Sequence, residues 1–159
     1  MKRVFSLMLA AMLVIALTAC GTAAEEQNRG FETGDVQVLV EGGVFSEELE
    51  ELDADVAFAL YHLGDYGLER EVLVEAAVVR SAGATCEEAA VLIFADENAA
   101  ERAEDALEDY LKGQIESNAN YRPNEIPKLE NAILEKQTKS VVLVIAQNTE
   151  KAQEILELD

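Results

Sequence analysis

The chain has 159 residues, half of them hydrophobic by count (50%), and carries 12 Lys and Arg against 32 Asp and Glu, a formal net charge of −20. That length suits one domain with a real core. A field so acidic repels phosphate backbones and anionic lipid headgroups, so no nucleic-acid partner is expected.

The N-terminus reads as an export signal. Lys2-Arg3 precedes the apolar run Val4–Ala19, and the run ends in Leu17-Thr18-Ala19-Cys20. A basic start, an apolar middle and small residues before a cut form the grammar of a cleaved signal peptide, here 1–19. The run is short against the roughly 20 residues that span a bilayer, which argues against a transmembrane helix. A cysteine directly after the cut matches the lipobox of bacterial lipoproteins, with Leu17 and Ala19 in the expected places. Cys20 is therefore the expected lipidation site and the membrane anchor, and residues 20–34, small, polar and aperiodic, are expected to form a lipidated flexible tether. Cleavage also removes Lys2 and Arg3, which leaves the remainder still more acidic.

Residues 35–159 are expected to form a single domain. Asp35–Val44 is ambiguous: Val36, Val38 and Val40 alternate as in a strand, and Gly42-Gly43 closes the segment. Phe45–Leu63 places Phe45, Leu49, Leu52, Val56, Leu60 and Leu63 on one helical stripe, with Ser46 and Asp53 as candidate N-caps of one helix or two. Glu71–Arg80 reads as a strand with Val72, Val74, Ala76 and Val78 on one face. Ala89–Ala95 is a second strand, apolar on both faces at Val91–Phe94 and therefore central, with Glu87, Glu88 and Asp96 as charged flanks. Asp96 caps a long helix, Glu97–Asn118, whose buried face includes Ala99, Ala103, Ala106, Leu107, Tyr110, Leu111 and Ile115, with Glu104 on the opposite face. A loop runs from Asn118 to Pro127. Asn131–Lys136 and Ser140–Ala146 are two further strands, and Asn148 or Thr149 caps a short last helix. The expected fold is α+β: a four-stranded, mainly antiparallel sheet with helices packed on one face.

Several segments match a known pattern. Leu60-Tyr61-His62-Leu63, then Ser81-Ala82-Gly83-Ala84-Thr85 before an apolar strand, then Asn120-Tyr121-Arg122-Pro123-Asn124-Glu125 and Lys128-Leu129-Glu130-Asn131-Ala132-Ile133 follow in order behind the lipobox. From about Asp53 to Leu156 the chain resembles the bacterial lipoprotein family with domain of unknown function 4358. It departs where Lys139-Ser140-Val141 stands in place of a glycine and an aromatic residue. The resemblance implies an address on the bacterial surface, mostly in Gram-positive organisms, and supplies no activity, ligand or catalytic residue.

The residues themselves supply little chemistry. His62 is the single histidine, and with Cys20 lipidated Cys86 has no partner thiol, so a zinc site of nitrogen and sulfur ligands cannot be assembled. Two acids after Cys86 should raise its thiol pKa. Asp53-Ala54-Asp55 has the alternation of a calcium loop but lacks the remaining ligands and the glycine. No metal or other cofactor and no enzymatic activity is expected. Tyr121 and Arg122, beside Pro123, are the candidate interaction loop, because Tyr and Arg are favoured interface anchors; the alternative is that Tyr121 packs across the end of the long helix and Arg122 pairs with an acid. The expected role is a non-enzymatic interaction or structural module, anchored through Cys20 on the extracytoplasmic face of the bacterial membrane, with a cell-envelope protein as its partner. The alternative is an extracytoplasmic ligand-binding module for a cation or small cationic solute.

Overall fold

A computed structural model describes residues 30–158. The expected signal peptide 1–19, Cys20 and the expected tether as far as residue 29 lie outside the described residues. Among those described, the order is helix α1 (Gly34–Gly42), strand β1 (Glu50–Leu52), helix α2 (Ala54–Leu60), two 3-10 turns (Leu63–Tyr66 and Arg70–Val72), strands β2 (Leu73–Arg80) and β3 (Glu88–Phe94), helix α3 (Glu97–Asn118), helix α4 (Ile126–Glu130), strands β4 (Ile133–Gln137) and β5 (Ser140–Ile145), and helix α5 (Thr149–Ile155).

The class is α+β, but the sheet has five strands where four were expected, in the order β1-β2-β3-β5-β4 with every pair antiparallel. The two expected hairpins, β2–β3 and β4–β5, join through β3 and β5, where Val91 lies opposite Val142. Both strands are buried almost throughout, as their unbroken apolar runs require. The additional strand, β1, comes from the stripe that suggested helix across Phe45–Leu63. Only its second half is helical, starting after Asp53, whose carboxylate accepts the N–H groups of Asp55 and Val56.

Helices cover both faces of the sheet, which corrects the expected two-layer arrangement. On one face Ala90, Leu92, Phe94, Val141, Leu143 and Ile145 pack with Ala57 of α2 and with Ala99, Ala103 and Leu107 of α3. On the other face Ala89, Val91, Val142 and Val144 pack with Val36 and Leu39 of α1 and Ala152 of α5. α1 is the segment whose valines alternate like a strand. Its buried positions are Val36 and Leu39, three apart, while Val38 and Val40 face water. At the point where α1 meets α5, Gly42 leaves no room for a Cβ against the Ile155 side chain. Of residues 30–34, expected within the tether, Gly30 and Phe31 are buried: Phe31 sits in this second core and donates its N–H to the Ser140 hydroxyl at 2.6 Å.

The long helix runs over the expected residues, with Asp96 accepting the N–H of Ala99 at its start. Leu107 is fully buried, whereas Glu104 is half-buried near β4 rather than on an open face. In β2 a register shift between Leu73 and Glu75 turns Val74 outward, so the expected stripe of Val72, Val74, Ala76 and Val78 is broken.

Candidate functional site

Two features stand out around β3, and both involve residues that the sequence suggests are solvated. Glu87 and Glu88 look like charged flanks of an apolar strand, yet each is 1% exposed. Glu88 opens the strand and Glu87 immediately precedes it, and the two engage different partners.

Glu87 accepts the Ser46 N–H at 2.8 Å and the Lys128 ammonium at 2.9 Å. Lys128 also lies 3.2 Å from Glu125, which accepts the Cys86 N–H. Burial alone would pull the lysine down; its bonds to Glu87 and Glu125 outweigh that and hold it above the ordinary value. The Ser81 hydroxyl accepts N–H groups from Gly83 and Thr85, and the Thr85 hydroxyl donates to Glu47 at 2.6 Å. Together these bonds tie the β2–β3 turn to the loop after α1 and to α4.

The expected interaction loop divides here. Arg122 is half-buried and donates to the Thr85 carbonyl at 3.1 Å, so it fastens its loop to the same turn instead of pairing with an acid. Tyr121 is 88% exposed and does not pack across the helix end. The Cys86 thiol is pushed up, chiefly by burial and then by Glu125, so the expected direction holds with different causes.

Glu88 opens toward α2 and α3. It accepts the Tyr61 hydroxyl at 2.7 Å and the Tyr110 hydroxyl at 2.8 Å, with the Arg80 guanidinium 3.4 Å away on the neighbouring strand. The two rings meet edge to face, with centroids 5.1 Å apart and planes at 85°. Burial raises the Glu88 carboxyl against the lowering pull of these donors, and burial followed by the Glu88 charge raises both phenols.

In front of this group lies a cleft of about 590 Å³, lined by Leu60, Tyr61, His62, Asp65, Tyr66, Ala106, Asp109, Tyr110, Gly113 and Gln114. One wall is the 3-10 turn that follows α2, and the other is the middle of α3. His62 starts the turn with a left-handed φ of 52°. Arg102 of α3 holds the turn in place by donating to the Gly67 carbonyl at 2.9 Å. Tyr66 spans the cleft mouth, its hydroxyl donating to Asp109, and that bond pushes its phenol up to about 12.

The remaining candidates are accounted for structurally. Asp53 caps α2, and Asp55 pairs with Arg70 at 2.6 Å, so neither joins a calcium loop. Among the described residues no group of three or more His, Cys, Asp or Glu is placed to hold a metal ion, and no helix is long and apolar enough to cross a membrane. The signal that would have exposed Glu88 is phase: it shares its strand face with Ala90, Leu92 and Phe94, all core residues.

The fold defines a small α+β domain with a five-stranded antiparallel sheet, covered on both faces and opened on one by a tyrosine-lined cleft. The chain belongs to the family described as domain of unknown function DUF4358, whose model matches residues 62–146. That segment runs from the cleft turn to the end of β5, and leaves α1, β1, α2 and α5 outside it. No curated protein and no solved structure matches the chain.

Proposed function

We propose that this protein is a lipid-anchored recognition module on the extracytoplasmic face of a bacterial membrane, acting by binding rather than by catalysis. The observation that carries the address is Leu17-Thr18-Ala19-Cys20 behind Lys2-Arg3 and an apolar run. Acyl chains on Cys20 would each contribute about 0.8 kcal/mol per buried CH₂, enough in combination for stable anchoring. Binding is favoured over catalysis because the buried ionisable groups are engaged in holding the fold: Glu87 with Lys128, and Glu88 with two tyrosines. The exposed Tyr121, on a loop fastened by Arg122, offers an anchor for a cell-envelope protein.

A second reading, a module for a cation or small cationic solute, is favoured by one observation. The cleft is lined by three tyrosines and two aspartates and by no lysine or arginine.

The anchor is tested by mass spectrometry of detergent-extracted protein, which should show an acylated N-terminal Cys20. A Cys20→Ala protein should leave the membrane fraction. One that stayed there with an unchanged mass would end the reading.

A further inference from the structure

The cleft between the Leu63–Tyr66 turn and α3 holds Tyr61, Tyr66 and Tyr110, three of the four tyrosines in the chain. Their hydroxyls are all committed: Tyr61 and Tyr110 donate to Glu88, and Tyr66 donates to Asp109. Tyr61 is fully buried and backs the cleft, so what a ligand meets is the ring surface of the half-buried Tyr66 and Tyr110 rather than hydroxyl hydrogen bonds. A phenol that donates to a carboxylate has a more electron-rich ring, which strengthens its attraction for a cation over the ring face. Asp65 and Asp109 add negative charge at the rim, and Lys112, paired with Asp109, is not among the lining residues.

Gly113 supplies an independent observation. It stands inside α3, where glycine costs about 1 kcal/mol relative to alanine. Packing does not require it, because a Cβ built there meets nothing within 4 Å. Its φ is not in the left-handed range, so backbone conformation does not require it either. The open space belongs to the cleft, and the missing side chain keeps that space free.

We infer that this cleft, with Gly113 on its α3 wall and the rings of Tyr66 and Tyr110 beside it, binds a small organic cation with a methylated ammonium head. A quaternary ammonium is weakly hydrated, has an apolar surface that suits aromatic rings, and needs no hydrogen-bond acceptor. A small inorganic cation would need several convergent oxygens, and the lining aspartates are two, Asp109 engaged by Tyr66 and Lys112 and Asp65 lying 3.7 Å from the His62 ring nitrogen. This rests on the reading of the protein as a recognition module, but not on its anchor.

The test uses the full-length chain and its tyrosine emission, since the chain has no tryptophan. Choline and tetramethylammonium should each change that emission saturably, while 3,3-dimethylbutan-1-ol, the neutral isostere of choline, should not. Gly113→Leu fills the space beside α3 with a good helix former and should weaken choline binding at least about tenfold. Asp65→Asn should weaken it by a smaller factor and leave folding intact. Circular dichroism of both variants separates loss of binding from loss of structure. Absence of a saturable response to either ammonium overturns the inference. So does an equal response to the neutral isostere, reproduction of the response by calcium chloride, or unaltered binding in a folded Gly113→Leu protein. Failure here with Cys20 still acylated would remove the ligand and leave the anchored module standing.

Discussion

Tyr61 donates its hydroxyl to the carboxylate of Glu88 at 2.7 Å, both residues being almost completely removed from water. The bond joins the end of α2 to the start of β3. With Tyr110 on the other carboxylate oxygen, it makes one acid the common support of two cleft walls.

Removing that acid should be costly. Glu88→Ala leaves two largely buried hydroxyls without an acceptor, at about 1–3 kcal/mol for each stranded group. Glu88→Gln keeps an acceptor oxygen and should lose less. Urea unfolding of both variants checks this, and equal losses below about 0.5 kcal/mol would show that the tyrosines find water instead.

The same acid predicts a pH dependence. Burial raises its folded-state pKa above the ordinary glutamate value, so in the window between the two the native protein holds a proton that the unfolded chain has released. Stability from this group is therefore present below the ordinary value and is lost as pH rises through the raised folded value. Tyr61, Tyr110 and Arg80 face the carboxylate and limit the size of the shift. The difference in unfolding free energy between wild type and Glu88→Gln, followed from pH 4 to 8, should move against the wild type as pH rises. A flat difference would contradict the assignment.

Glu87 and Lys128 form the other buried pair, with side chains 0% and 12% exposed. Lys128→Met strands the carboxylate and should cost about 3 kcal/mol, as breaking a buried pair by one partner does. Adding Glu87→Gln to it should recover part of the loss. A double-mutant cycle with no coupling would mean that the pair contributes nothing beyond its separate contacts.

Leu107 should respond as a core residue, because α3 covers the β3–β5 centre. Leu107→Ala is expected to cost about 2–5 kcal/mol, and Glu101→Ala, on an exposed position of the same helix, less than about 0.5 kcal/mol. Similar small effects at both positions would mean that α3 does not cover the sheet.

Gly113→Ala should raise stability by up to about 1 kcal/mol, since its Cβ enters open space within a helix. A drop in the thermal midpoint would show a packing constraint that the geometry does not contain.

The elements with strong local signals are legible in the sequence. Asp96 and the apolar stripe after it define α3, and the continuous apolar runs of β3 and β5 place both at the sheet centre. The rest depends on partners distant in the chain. The valines of α1 satisfy an alternating pattern as well as a helical one, and only packing against Ala152 and the back of the sheet decides between them. β1 is three residues long and exists because Arg80, Val79 and Val78 offer it an edge. The cleft was illegible for the same reason. Tyr61, Glu88 and Tyr110 are each unremarkable in sequence, and an acid after Cys86 looks like a solvated flank until two phenols from other elements reach it.

The bond from Phe31 to Ser140 fixes where the chain leaves the domain, and so how the domain would stand above a bilayer. Ser140 lies opposite Ile93, at the end of β3 far from Glu88. About ten residues separate Cys20 from Gly30, a reach of at most ~35 Å even when fully extended. Under the proposed anchor at Cys20, the β4–β5 turn would be leashed on the membrane side, and the end of the sheet that carries Glu88 and the Ser81–Glu87 turn would look away from the bilayer.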